Sequence, residues 1–210
     1  MDYLPLFPLE LVAFPGESLN LHIFEPRYRE LIHDCETEGL TFGIPTFLDG
    51  KIQGYGTEVR LVDVEKRYPD GKLDVRTEGI RVFQLRSFNR RAEGKQYAGG
   101  RVRYLSENNT PPDPDLAAAV AAQLGEMYRY LNIKRTAPTA DTLRAYDVGH
   151  HAGLNTQQEY ELLVIDNENQ RLEYLHGHLV RLLPSVREIH SLRQRVQMNG
   201  HFKNILPPDF

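Results

Sequence analysis

Short apolar runs broken by proline dominate the first 28 residues of this 210-residue chain. The runs are Leu4-Pro5-Leu6-Phe7-Pro8-Leu9, Phe14-Pro15-Gly16 and Leu21-His22-Ile23-Phe24-Glu25-Pro26-Arg27-Tyr28. Proline fixes φ and has no N–H, so it favours extended edges, turns and the first turn of a helix. The opening therefore predicts short strands and then a helix that begins at Pro26. Leu31, Ile32 and Cys35 give this helix an apolar face, and Gly39 ends it.

The rest of the first half is typical of an antiparallel sheet. Charged residues are interleaved among Val59, Leu61, Val62 and Val64, and Leu73, Val75 and Thr77 alternate with charged residues after Pro69-Asp70-Gly71. This pattern predicts a hairpin with one buried face. Gly79 is expected to mark a bulge in the strand that follows, and a last strand is expected over residues 102–104.

Helical periodicity begins after a polar stretch at residues 106–112, the clearest boundary in the chain. Asp113-Pro114 supplies an N-cap and a first helical residue, and Thr156 with Glu159 predicts a capping box for a later helix. Apolar residues of the last helical region recur at spacings of three and four: Leu172, Leu175, Leu179, Leu182, Val186 and Ile189. Because this seam continues across Pro184, we predict one long helix with a kink there.

The composition is typical of a globular protein. Hydrophobic residues make up 40% and charged residues 26% of the chain, as in ordinary globular proteins, and the formal net charge is -4. Cys35 is the single cysteine, so no internal disulfide can form, and we expect it to be a small buried residue rather than a nucleophile. The N-terminus lacks the pattern of a signal peptide, and no apolar run is long enough for a membrane span. A cytoplasmic location is therefore expected.

The opening motif resembles the start of the Lon protease N-terminal domain, the substrate-binding module placed before that enzyme's motor. Three further stretches resemble the family: Phe42-Gly43-Ile44-Pro45 the strand after its first helix, Gly79-Ile80-Arg81-Val82 the strand after its hairpin, and Gln170-Arg171-Leu172 the start of its last helix. Nearly the whole chain is covered, and residues 137–153 resemble the family least.

The resemblance implies an α+β fold. Residues 1–106 would form a PUA-like, mainly antiparallel β-barrel lobe. Residues 113–210 would form a helical bundle lobe with a long kinked C-terminal helix, and both lobes together would make one unit of the Lon N-terminal type. The resemblance also implies a non-catalytic domain that binds peptides or proteins, and we expect an adaptor role in proteolysis or protein quality control.

The catalytic motifs of a Lon protease are missing from this sequence. The nearest approach to an ATP-binding G-x-x-x-x-G-K-[ST] loop is Gly43 with Gly50-Lys51, which has six residues between the glycines and Ile52 in place of the hydroxyl. No Ser-Lys dyad motif and no Gly-x-Ser-x-Gly elbow are found. We therefore expect a stand-alone member without the ATPase and protease domains, not an enzyme, with no cofactor and no metal. An enzyme of unknown type would need a pocket of converging ionisable groups.

Aromatic and proline residues of the first half are the candidates for peptide contact. They are Phe14, Pro15, His22, Phe24, Tyr28, Phe47 and Tyr55. Recognition would rest on apolar contacts with some backbone hydrogen bonding, and the partners would be unfolded peptide segments or another protein. The ending, residues 200–210, carries apolar side chains that we expect to pack onto the fold or to dock on a partner.

A basic C-terminal helix supports an alternative function. Residues 171–203 contain six Lys or Arg and two acidic residues. An RNA-binding module that uses this helix is the alternative, and it predicts a steep salt dependence. At 100° per residue, however, Arg181, Arg187 and Arg195 lie scattered around the helix rather than along one stripe, which favours an ordinary solvated face.

Overall fold

The structure is a computed structural model that describes residues 2–106 and 110–201, with side chains described as far as residue 196. Residues 107–109 of the predicted polar boundary lie outside the described residues. The same holds for residues 202–210 of the predicted apolar tail.

Contacts along the chain divide it into two units. The first unit consists of Met1–Thr110 and Arg144–Arg171, and the second consists of Pro111–Leu143 and Leu172–Phe210. The predicted domain boundaries at residues 1–106 and 113–210 stay a prediction, and the contact division assigns the segment from Arg144 to Arg171 to the first unit.

Six strands form one sheet in the described part of the first unit. They are β1 (Asp2–Leu6), β2 (Ser18–Ile23), β3 (Thr41–Leu48), β4 (Lys51–Arg67), β5 (Leu73–Leu85) and β6 (Ala98–Tyr104). The strand order is β2-β5-β4-β3-β1-β6, and β5 also pairs with β6, so the pairings of β5, β4, β3, β1 and β6 close into a ring. Every pairing is antiparallel except that of β1 with β3, which confirms the mainly antiparallel prediction. The PUA-like barrel is a finer statement and stays a prediction.

The predicted hairpin and its bulge are both present. β4 and β5 flank the turn at Pro69-Asp70-Gly71. The register between them shifts from the pair Glu58–Arg81 to the pair Val59–Gly79, so Ile80 is the extra residue of a bulge beside Gly79. A side chain at residue 79 would overlap the backbone of Phe14, which explains why a glycine stands at this close approach.

Five α-helices are described. They are α1 (Pro26–Glu38), α2 (Pro114–Leu131), α3 (Ala145–Val148), α4 (Thr156–Val164) and α5 (Glu168–His201), with a 3-10 helix, Gly149–His151, between α3 and α4. Helix α1 confirms the prediction in detail, because Pro26 is its first residue and Gly39 ends it in the left-handed conformation. Asp113 caps α2 by accepting hydrogen bonds from the backbone N–H groups of Asp115 and Leu116.

The predicted capping box of α4 is wrong by one residue. Asn155, not Thr156, is the N-cap: its side chain accepts from the backbone N–H of Gln158, whose own side chain accepts from the Asn155 N–H. Asparagine is at least as good an N-cap as threonine, so the box closes one position earlier. Glu159, freed from capping, pairs with His150.

Helices α2 and α5 supply the core of the second unit. Five apolar residues of α5 are buried there: Leu172, Leu175, Leu179, Leu183 and Val186. The predicted seam therefore needs two corrections. Leu183 is buried where Leu182 was expected, and Ile189 is 45% exposed. The helix continues across Pro184 as predicted, whereas the kink stays a prediction.

Candidate functional site

Two adjoining cavities of the first unit share the walls built by Pro8, Leu9, Arg27 and Tyr28. The larger has a volume of about 500 Å³ and the smaller about 200 Å³. We call the two together the apolar groove. The larger cavity is also lined by Phe47, Ile52, Phe88, Arg90, Glu10 and Ala98. The smaller is also lined by Phe7, Leu21, His22, Ile23, Phe24 and Glu25.

The proline-rich opening builds one wall of the groove. β1 ends at Leu6, and the backbone N–H of Phe7 still donates to the carbonyl of Gly43 at 2.8 Å. The pairing continues past Pro8, because the Leu9 N–H donates to the Pro45 carbonyl at 3.4 Å and the Phe47 N–H donates to the Leu9 carbonyl at 2.8 Å. Pro8 and Leu9, which follow the regular part of β1, line both cavities.

The start of α1 supplies the floor. Pro26 begins the helix and thereby fixes Tyr28 in its first turn, where the ring stacks on Phe7 with centroids 3.7 Å apart. The guanidinium of Arg27 lies 4.5 Å from the Tyr28 ring centroid, and its Nε donates to Glu25 at 2.9 Å. Burial raises the pKa of Tyr28, although the nearby Arg27 opposes this, so the hydroxyl is neutral at physiological pH.

The segment between β5 and β6 forms the facing wall, and α1 holds it in place. Asp34 accepts hydrogen bonds of 2.6 Å from both the Lys95 ammonium and the Tyr97 hydroxyl. Burial acts to raise the pKa of Asp34, but these two hydrogen bonds outweigh it and the pKa is lowered. Glu30 adds a hydrogen bond from the Gln96 N–H at 3.1 Å. These bonds tie to α1 the segment that carries Phe88 and Arg90.

An exposed aromatic side chain stands at the rim of the smaller cavity. Phe24 follows β2 directly and is 59% exposed. Its ring lies 6.2 Å from that of His22, whose Nδ1 is 2.6 Å from Asp74. The hydrogen bond with His22, together with one from the Tyr68 hydroxyl, lowers the pKa of Asp74. The rim thus combines an apolar surface with a fixed polar pair.

Four of the seven predicted contact residues line the groove: His22, Phe24, Tyr28 and Phe47. The other three do not line either cavity. Phe14 is fully buried, with its ring centroid 5.2 Å from Tyr146 and 4.8 Å from His150, so it offers no exposed surface. Pro15 and Tyr55 are half-buried elsewhere in the unit. A role in peptide binding stays a prediction for all seven residues.

Several lining residues were not foreseen from the sequence. Leu9 and Arg27 belong to the opening motif, and their position directly after a proline is the one feature of the sequence that could have indicated them as lining residues. Ile52 lies at the start of β4. Phe88 and Arg90 follow β5 in an irregular stretch that has no periodicity, so no pattern in the sequence indicated them.

Neither a metal centre nor a reactive thiol is apparent in the described part of the chain. Within residues 2–106 and 110–196, no group of three or more His, Cys, Asp or Glu residues is arranged to hold a metal ion. Cys35 is buried as expected, and burial raises the pKa of its thiol to about 12. No described helix is both long enough and apolar enough to cross a membrane.

Comparison with known proteins decides the family. Residues 3–181 match the family model of the substrate-binding domain of ATP-dependent protease La (LON). The chain belongs to this family. The Lon substrate-binding domain is a non-catalytic part of that protease, which agrees with a binding rather than a catalytic role for this member.

Solved structures of Lon N-terminal domains have the same fold. The crystal structure of a Lon N-terminal domain protein from Xanthomonas campestris is 29% identical, with a TM-score of 0.68, and the match covers 84% of this chain and 98% of that one. The N-terminal domain of Mycobacterium avium complex Lon protease matches with a TM-score of 0.64 at 18% identity, over 85% of this chain and 98% of that one. The second likeness concerns the fold alone.

Proposed function

We propose that this Lon-type domain binds extended peptide segments of other proteins in the apolar groove and does not catalyse a reaction on them. The observation that carries the proposal is the placement of Phe24, a large apolar side chain exposed at the rim of a cavity lined by further apolar side chains. Such a surface costs free energy in water and is typical of sites that receive an apolar partner.

The walls of the groove suit a peptide better than a compact small molecule. The two cavities share Pro8, Leu9, Arg27 and Tyr28 as lining residues, so neighbouring side chains of one peptide can occupy both. β2, which ends beside the smaller cavity, pairs with β5 alone among the described strands. An extended peptide can add backbone hydrogen bonds at such an open edge while its apolar side chains enter the groove.

The finer role that we propose is that of an adaptor in proteolysis or protein quality control, acting in the cytoplasm on unfolded segments or on one partner protein. The RNA alternative has less support. In the C-terminal helix, Arg171 is buried against Glu168, and Arg187 makes two hydrogen bonds with Glu126. Two of the cations on which that alternative depends therefore have carboxylate partners within the protein.

A binding experiment with matched peptides and matched variants tests the groove. Labelled peptides with two aromatic anchors, and the same peptides with those anchors changed to serine, are titrated with the protein and followed by fluorescence anisotropy. We expect the aromatic peptides alone to bind, and Phe24→Ser to weaken binding by about 5- to 30-fold, as for the loss of one anchor contact. Val196→Ser is the control, because Val196 is 70% exposed on α5 and does not line the groove.

Equal binding of aromatic and serine peptides would contradict the proposal. The same conclusion would follow if Phe24→Ser and Val196→Ser both bound like the unmodified protein.

A further inference from the structure

We propose that the peptides bound in the apolar groove carry acidic residues beside their apolar anchor, and that an arginine surface next to the groove binds those carboxylates. This inference rests on the proposed function, because it assigns a class of substrate to the same groove. The arginine surface consists of Arg86, Arg90, Arg91, Arg101 and Arg103.

The register of the sheet brings most of this surface together. Val102 of β6 is fully buried, so its neighbours Arg101 and Arg103 both point to the outer face. Arg101 lies opposite Tyr3 of β1, and on its other side the Arg86 N–H donates to the Arg101 carbonyl at 2.8 Å. Arg86, Arg101 and Tyr3 therefore form a row across three neighbouring segments of chain.

The guanidinium groups of this surface are available for a ligand. All five arginines are exposed, and none forms an ion pair with a residue of the described chain. Residues 86–103 contain six basic residues and one acidic residue, although the whole chain has a net charge of -4. The sixth basic residue, Lys95, is bound to Asp34. Such a local positive surface attracts anionic ligands, although the protein as a whole is acidic.

One short segment separates this surface from the groove. Phe88 and Arg90 line the larger cavity of the groove. Asn89 and Arg91 line another cavity of about 540 Å³, whose other residues are Tyr3, Glu93 and Arg101. Because alternate side chains of residues 88–91 face the two cavities, a peptide that leaves the groove meets the arginines within a few residues. Arg90 itself lines the groove, so a peptide bound there can reach it without extending beyond the groove.

The chemistry of the surface fits carboxylates presented by a peptide. Arginine offers a planar fork of N–H donors that matches a carboxylate, and Tyr3, 48% exposed, adds an apolar face beside Arg101. A nucleic acid is less suitable, because it carries a phosphate at every nucleotide. Glu10 in the groove and Glu93 in the neighbouring cavity would repel such a regular polyanion, whereas a peptide can place one or two acids away from them.

The test compares three peptides that share one aromatic anchor and differ only in a flanking pair of residues: Asp-Asp, Asn-Asn or Lys-Lys. We expect the Asp-Asp peptide to bind about three- to tenfold more tightly than the Asn-Asn peptide at low salt, since each exposed ion pair contributes modestly. The advantage should shrink at high salt, and Lys-Lys should bind weakest. The triple variant Arg86→Gln, Arg91→Gln, Arg101→Gln should lose the advantage and keep the affinity for Asn-Asn.

The matched control is Arg181→Gln, Arg193→Gln, Arg195→Gln, which removes the same charge from exposed positions of α5 and should change nothing. If the Asp-Asp and Asn-Asn peptides bind equally, the acidic preference is wrong and the groove proposal stands. If none of the three binds, both proposals fail together. A single-stranded oligonucleotide that binds more tightly than the Asp-Asp peptide, and is lost in the triple variant, would assign the surface to nucleic acid and overturn the inference.

Discussion

The Nε2 atom of His150 lies 3.2 Å from a carboxylate oxygen of Glu17, a residue 133 positions earlier in the chain. The other ring nitrogen, Nδ1, lies 2.8 Å from Glu159 of α4. The imidazole therefore bridges the turn before β2 and the helical segment from Arg144 to Arg171, and it covers the ring of Phe14. One histidine thus joins two parts of the first unit that the sequence separates widely.

This bridge predicts a pH-dependent stability. The hydrogen bonds with Glu159 and then Glu17 raise the pKa of His150 to about 10. A folded pKa above the unfolded value of about 6.5 means that the stabilisation is complete below pH 6.5 and is lost as the pH rises toward 10. Solvent screens the imidazole, whose side chain is 30% exposed, so we expect a contribution of about 1–2 kcal/mol.

Urea unfolding at pH 6, 8 and 10 measures this contribution. The protein should lose stability relative to His150→Gln as the pH rises, so that the two converge near pH 10. His33→Gln is the control, because His33 is exposed on α1 and forms no ion pair with a carboxylate of the described residues. A difference between the protein and His150→Gln that is the same at all three values would contradict the bridge.

The bulge beside Gly79 predicts an intolerant position. A methyl group there would overlap the carbonyl oxygen of Phe14, which is backbone and cannot turn aside. We expect Gly79→Ala to lower the free energy of unfolding by more than about 2 kcal/mol. Gly54→Ala in β4 is the matched control, since nothing lies within 4 Å of a methyl group there. Similar denaturant midpoints for the two variants would show that the turn moves freely.

The thiol of Cys35 is predicted to be inert in the folded protein. It is buried on α1, and burial, with smaller effects of Asp34 and Glu36, raises its pKa to about 12. The reactive thiolate is therefore almost absent at neutral pH. An aromatic disulfide reagent at pH 8 should label Cys35 only at the rate of unfolding, and fully in urea. Rapid labelling without urea would indicate an open environment.

Truncation of two aromatic residues of the groove is predicted to change the stability of the protein by very different amounts. Tyr28 is buried and stacked on Phe7, so Tyr28→Ala should cost about 3–5 kcal/mol of stability. Phe24 is mostly exposed, and Phe24→Ser should change stability by less than about 0.5 kcal/mol. Thermal unfolding of both variants checks this. A large loss of stability in Phe24→Ser would place that residue in the core and remove it as a probe of binding.

Much of the secondary structure could be predicted from single residues that favour helix ends, caps and turns. Pro26 and Gly39 defined α1, Asp113 capped α2, and the turn at Pro69-Asp70-Gly71 joined β4 to β5, all as predicted. These features depend on the conformational limits of single residues and on spacing within one or two turns, which a sequence displays directly. The capping box of α4 was missed by one residue because neighbouring Asn155 and Thr156 are both good caps.

The exposure of individual side chains was decided by the tertiary structure. Phe14 and Phe24 both stand in apolar runs beside proline or glutamate, and nothing local distinguishes them. Phe14 is buried because Tyr146 and His150, more than a hundred residues later, pack on its ring, whereas Phe24 stays 59% exposed among the described residues. The groove walls at Phe88 and Arg90 and the row formed by Arg86, Arg101 and Tyr3 likewise depend on strand register. Short-range conformational preferences thus let the sequence by itself determine where α1 and α2 begin and where the chain turns between β4 and β5. Only long-range packing decided which of their side chains remain at the surface to bind.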